Sequence, residues 1–141
     1  MNKVTLSTKG FDEYLERISK MDADIDSIVD NALTDAAQII QDEMVRLVPQ
    51  PGQSKSGRAT GNLKNHIKTE LHKEGNVHWI DVGILRSKGS TDAKTARYAN
   101  VVEYGSSTNQ AQSYIRAGIE KSKARARKAL RERLKREAGL E

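Results

Sequence analysis

Apolar positions recur along the chain with two distinct periods. Ile25, Ile28, Val29, Ala32, Leu33, Ala36, Ile39, Ile40, Met44 and Leu47 step by threes and fours, the stripe of an amphipathic helix. Asp22, Asp24 and Asp26 crowd its start, where the helix dipole favours anions, and Pro49 stops it. The pattern predicts a helix over 23–48. Ahead of it, Val4-Thr5-Leu6 reads as a short strand that Lys9-Gly10 breaks. Phe11, Tyr14, Leu15 and Ile18 then predict a short helix. Near the C-terminus Ile115, Ile119, Ala126, Leu130 and Leu134 keep helical spacing, with Ser122 filling a gap. A helix over 112–138 spans roughly 40 Å at 1.5 Å per residue. That is about the width of a domain this size, so its distal end is expected to project.

Between these helices the period changes to two. Gly75-Asn76 is a two-residue turn signal, and it pairs residues whose positions mirror one another across the turn. Ile67 then faces Ile84, Thr69 faces Val82, and Leu71 faces Ile80, all on one mostly apolar face. A slip of one residue would move one strand's set to the opposite face, so this agreement predicts a hairpin over 67–85. The opposite face pairs His72 with Trp79 and Glu70 with Asp81. The second is a like-charge contact that Lys68 is placed to relieve diagonally. That face is expected to be solvated or to lie in an interface. For Tyr98-Ala99-Asn100-Val101-Val102-Glu103-Tyr104-Gly105, spacing leaves strand and short helix both open.

Two polar stretches separate these elements. Residues 49–59 hold both prolines of the chain with two glycines and two serines, and read as an exposed loop. Residues 86–95 are a second polar loop. With 141 residues, the expected architecture is a single α+β domain over 1–141. It would comprise an antiparallel sheet with a central hairpin, packed by a long N-terminal helix and a long basic C-terminal helix. Apolar residues make up 36 % and aromatics 4 %, a thin core that invites burial against partners. No apolar run approaches the roughly 18 residues that span a bilayer, and Met1–Thr5 lacks a secretion signal. The expectation is therefore no membrane partner.

Charge is unevenly placed. The net +5 divides into an acidic first third and a basic last segment, where ten Lys and Arg fall after Tyr114. Acidic and basic segments can meet within one molecule or between copies, or the basic helix can meet an outside polyanion such as nucleic acid.

Candidate chemistry is sparse. Cysteine is absent, which removes disulfides, thiolate metal sites and a cysteine nucleophile. His66, His72 and His78 lack metal-site spacing and a carboxylate cluster, so they read as surface or interface histidines and no metal is expected. No nucleophile elbow or phosphate-binding loop is present. Glu103 sits in an apolar neighbourhood, where a carboxylate needs a partner. Pairing with Arg97 or Arg116 is the reading preferred over a general base. The expectation is a non-enzyme with no catalytic residues and no cofactor.

Two motifs carry a resemblance. One is Thr60-Gly61-Asn62-Leu63-Lys64-Asn65-His66-Ile67. The other is Tyr98-Ala99-Asn100-Val101-Val102-Glu103-Tyr104-Gly105-Ser106, followed by Ala111-Gln112-Ser113-Tyr114-Ile115-Arg116-Ala117. In order and spacing the chain resembles the phage tail-completion proteins of long-tailed phages, also called head–tail joining or neck proteins. It differs in a longer loop before Thr60 and in lacking proline around residues 110–118. The motif positions are Thr60, Gly61, Asn62, Leu63, Tyr98, Val102, Glu103, Tyr104 and Gly105. By composition Thr60 can cap a short helix at 61–66, and Gly105 suits a turn.

The resemblance implies a structural virion protein at the head–tail interface, assembled in the host cytoplasm. It would be one subunit of a ring, of six copies, around the DNA channel. Its partners would be copies of itself, a head-completion or connector protein, a tail tube or tail-terminator protein, and the DNA passing through. Lys55, Arg58, Arg86 and Lys88, in the two polar loops, are the candidate partner contacts. The alternative reading is a nucleic-acid-binding protein using the basic C-terminal helix.

Overall fold

The computed structural model describes residues 3–21, 24–48, 64–75, 77–85, 99–100, 102–105 and 113–140. In chain order the elements are β1 (Lys3–Ser7), α1 (Asp12–Ser19), α2 (Ile25–Leu47), a 3-10 turn (Lys64–His66), β2 (Ile67–Glu74), β3 (Val77–Ile84) and α3 (Ile115–Glu137). Residues 99–100 and 102–104 are helical as well. The expected α+β class is therefore the observed one.

The three strands form an antiparallel sheet in the order β1-β3-β2. The hairpin register is the one the turn predicts, with Ile67 opposite Ile84, Thr69 opposite Val82, and Leu71 opposite Ile80. β1 then adds to the free edge of β3, with Val4 opposite Val82 and Leu6 opposite Ile80. β3 becomes the central strand, and its last five residues are all buried. β2 stays an edge strand. Leu71, placed on the apolar face by its register, is 41 % exposed on this edge strand.

α2 lies on the inner face of the sheet and α3 lies on α2. Asp24 begins α2 by accepting the Ser27 N–H at 3.2 Å, the usual role of an N-cap aspartate. Val29, Ala32, Leu33, Ala36, Ala37, Ile40 and Met44 are buried along it. The two long helices run antiparallel. Arg125 reaches Glu43 and Arg133 reaches Asp35, so the chain ascends α3 as it descends α2.

Both helices have 23 residues. The expectation that α3 projects is thus corrected. Its core side stays buried through Leu130, Leu134 and Ala138, because α2 is as long as α3 and covers it. Ser122 does fill the gap in the stripe, buried, with its hydroxyl donating to the Gly118 carbonyl. Beyond α3 the Gly139 N–H donates to Arg136 and the Leu140 N–H to Lys135, and Gly139 adopts φ +74. This left-handed closure satisfies carbonyls that the helix end would leave bare.

Candidate functional site

The segment around Glu103 and the start of α3 form one unit. Residues 102–104 are helical, which resolves the open choice between strand and helix, and Gly105 follows with φ +81. A side chain at that φ is strained, so glycine fits the turn expected after Tyr104. Val102 and Ala99 enter the core, while Tyr104 is 51 % exposed. Glu103 itself is 0 % exposed.

The partners of Glu103 explain how a carboxylate survives there. One oxygen accepts the N–H of Tyr114 at 3.1 Å and of Ile115 at 3.3 Å, and the other accepts the N–H of Arg116 at 2.8 Å. These groups open α3, where a helix leaves its first N–H donors unpaired. Tyr114, at the N-cap position, supplies no side-chain cap of its own. Glu103 takes that role from eleven to thirteen residues away. The positive end of the helix dipole favours the same charge.

Arg116 closes the unit from outside. Its Nε lies 3.7 Å from the Glu103 carboxylate, its guanidinium donates to the Glu103 carbonyl at 3.1 Å and to Ser113 Oγ, and it stacks 5.2 Å from the Tyr104 ring centroid. Ser113 Oγ donates to the same Glu103 carbonyl at 2.9 Å. The expected Arg116 pairing is present, but the three backbone donors hold the carboxylate more closely than the guanidinium does. With both oxygens occupied, the site acts as a clamp joining the Tyr104–Gly105 turn to α3. It is poorly arranged for a general base, which needs a lone pair facing a reactant.

A second polar cluster lies on the outer face of the sheet. Asp81 is 5 % exposed, and its carboxylate accepts Thr5 Oγ1 at 2.6 Å and Lys3 Nζ at 3.1 Å. Its burial pushes the carboxyl pKa up, but the Thr5 and Lys3 hydrogen bonds and the charges of Lys3 and His72 together hold it below the usual range. The Glu70–Asp81 contact is bridged by His72, whose Nε2 lies 3.0 Å from Glu70 and 3.3 Å from Asp81. Lys68 is not the group that relieves it. His72 and Lys3 reach the carboxylates, the latter from β1, whose pairing the hairpin alone does not reveal. The His72 ring also stacks on Trp79 at 5.3 Å.

The third cluster corrects the reading of His78 as a surface histidine. His78 is 4 % exposed, on the helix side of the sheet, with Nδ1 3.2 Å from Asp30 and Nε2 3.3 Å from Asp26. Lys73 meets Asp26 at 2.9 Å, and that hydrogen bond is the largest cause holding the Asp26 carboxyl below its ordinary value. Beside this cluster lies a cavity of about 440 Å³ lined by Leu15, Ile25 and Val29 together with Asp12, Glu16 and Lys73. Among the described residues no group of three His, Cys, Asp or Glu side chains gathers as a metal site. The pairing of His78 with carboxylates one turn apart on α2 follows from its register, but only once α2 is known to cover that face.

Of the motif residues, the structure brings Val102, Glu103, Tyr104 and Gly105 together at the clamp. Thr60, Gly61, Asn62, Leu63 and Tyr98 lie outside the described residues, as do Arg97, the candidate contacts Lys55, Arg58, Arg86 and Lys88, and the helix cap assigned to Thr60. The residues that sequence reasoning missed are the amide donors of 114–116 and the Thr5–Asp81 pair. The only sequence signal for the first is the lack of a capping side chain at Tyr114, and the second has none until β1 is paired with β3.

A family model described as "Bacteriophage HK97-gp10, putative tail-component" matches residues 9–105. The chain belongs to this HK97-gp10-like family. No curated protein and no solved structure matches the chain. Family membership makes it a phage tail-component structural protein, and so a component of the virion. The match ends at Gly105, two residues after Glu103, so the clamp ties the HK97-gp10-like region to the α3 helix beyond it. Among the described residues no helix is long and apolar enough to cross a membrane.

Proposed function

We propose that this HK97-gp10-like chain is a tail-completion subunit acting as one domain across 1–141. It closes the head-proximal end of the tail and joins it to the capsid connector, as one copy of a six-membered ring around the DNA channel. The observation that carries this reading is the family match to a phage tail component over 9–105, joined to the ordered tail-completion motifs. The Glu103 clamp supports a structural role, because its carboxylate is committed to backbone donors rather than to a reactant. The protein acts by assembly and catalyses nothing. Its partners are further copies, a head-completion or connector protein, and a tail tube or tail-terminator protein. Lys55, Arg58, Arg86 and Lys88 are its contacts with neighbours. Weak contacts suffice for each copy, because a ring multiplies them.

The test is electron microscopy of lysates from the source phage with this gene disrupted. The expected result is separate DNA-filled heads and finished tails that join when purified protein is added. Intact virions in the absence of the protein would overturn the joining role.

A further inference from the structure

Four cations line the outward side of α3, away from the side that packs on α2. Lys121, Lys128, Arg131 and Lys135 are all exposed there. At 100° per residue they fall within about 80° of the helix circumference, and at 1.5 Å per residue they extend over about 21 Å. Four other cations of α3 are engaged inside the molecule. Arg116 serves the clamp, Arg125 meets Glu43, Arg133 meets Asp35 and Glu137, and Arg127 lies over the Phe11 ring at 5.1 Å. None of the four on the outer strip forms an ion pair among the described residues, although Lys121, at the edge nearest α2, is close enough to Glu43 for its charge to help lower that carboxyl's pKa. Glu120 and Glu132 flank the strip without pairing to it.

The chemistry of the strip narrows its partner. Its remaining outward positions include Ala117 and Ala124, and the exposed large apolar residues of the described chain are Met21, Leu71 and Tyr104, none on α3. A membrane-surface helix needs an apolar face to insert, and a protein interface needs a buried anchor, so neither fits. The acidic first third is also a poor partner from a second copy. Many of its carboxylates are already held within the molecule, Asp26 and Asp30 by His78 and Lys73, Asp35 by Arg133, and Glu43 by Arg46 and Arg125. What remains is a row of point charges with no aromatic among them, suited to a regular line of phosphates and unsuited to stacking on unpaired bases.

We infer that the Lys121–Lys128–Arg131–Lys135 strip of α3 is a sequence-independent binding site for the phosphate backbone of duplex DNA. The inference stands on the strip itself. If the ring reading holds, the strip also identifies α3 as the helix that meets the channel DNA.

The test is fluorescence anisotropy of the full chain with a labelled random-sequence duplex at several salt concentrations. Two variants are compared with wild type, each removing three positive charges. One is Lys121→Gln/Lys128→Gln/Lys135→Gln on the strip, and the other is Lys9→Gln/Lys20→Gln/Lys68→Gln elsewhere. Glutamine keeps helix propensity, and circular dichroism checks that both variants fold. Wild type is expected to bind with affinity falling steeply with salt. The strip variant should lose about tenfold or more, with a log–log salt slope shallower by about 2 to 3. The control should change much less. No binding by wild type at low salt, equal loss in both variants, or preference for the single strand would each overturn the inference. Joining is scored separately in lysates, so failure of DNA binding and failure of joining are distinguishable.

Discussion

Gly118 of α3 packs directly on Met44 of α2. A Cβ at Gly118 would lie 2.7 Å from Met44 Cγ and 3.3 Å from Met44 Cα. The glycine thus sets how closely the two long helices approach, beside the buried turn that Ser122 completes. Two effects oppose each other in Gly118→Ala. Helix propensity favours alanine by about 1 kcal/mol, while overpacking costs about 1–3 kcal/mol. The Met44 side chain can shift, but its backbone cannot without moving α2. Net destabilisation of up to about 2 kcal/mol is expected, measured by urea unfolding. Gly118→Ala made on a Met44→Ala background should be less costly than on the wild type. An equal cost in both backgrounds would remove Met44 as the cause.

Glu103→Ala is expected to destabilise the protein by about 2–4 kcal/mol, because it strands buried N–H donors at the start of α3. Glu103→Gln keeps the shape but offers a single acceptor oxygen and loses the charge facing the helix dipole, so it should fall between wild type and alanine. Hydrogen exchange locates the effect. The amides of Tyr114, Ile115 and Arg116 should lose protection before those in the middle of α3. Uniform loss along the whole helix would argue against a local cap.

Asp81 links stability to pH. Its carboxyl is held below the ordinary range despite burial, so the folded state binds its proton less readily than the unfolded chain does. Its contribution is complete above the unfolded value of about 3.9 and is lost as pH falls through the lower folded value. Asp81→Asn should therefore lower stability at neutral pH and flatten the loss of stability below about pH 4. Chemical denaturation across pH 2–7 measures this. A variant as steep on the acid side as the wild type would reassign that linkage to other carboxylates.

The Arg133–Asp35 pair, at 2.7 Å, tests how much the charge complementarity of α2 and α3 contributes. The Asp35 side chain is 67 % exposed, so solvent screens the pair. A double-mutant cycle with Arg133→Ala and Asp35→Ala should give a coupling below about 1 kcal/mol. By contrast Leu130→Ala, at a fully buried position on the same helix, should cost about 2–5 kcal/mol. The pairing of the helices would then rest on apolar contact, with the ion pairs setting alignment.

Local patterns determined much of this protein. The spacing from Ile25 to Leu47 specified α2, since a helix turns every 3.6 residues and burial needs one continuous stripe. The Gly75 turn and the alternation on either side specified the hairpin register, since side chains of a strand alternate faces. Motif order along the chain pointed to the phage tail family. Tertiary structure decided what depends on elements distant in sequence meeting in space. β1 reached the free edge of β3 and placed Lys3 and Thr5 on Asp81. α2 covered His78 and gave it two carboxylates. α3 lay along α2 instead of projecting, because both lengths were legible but only packing decides that the two helices lie side by side. Glu103 met the amides of 114–116 because a helix start exposes donors whatever its side chains are, and no periodicity records which distant carboxylate will accept them.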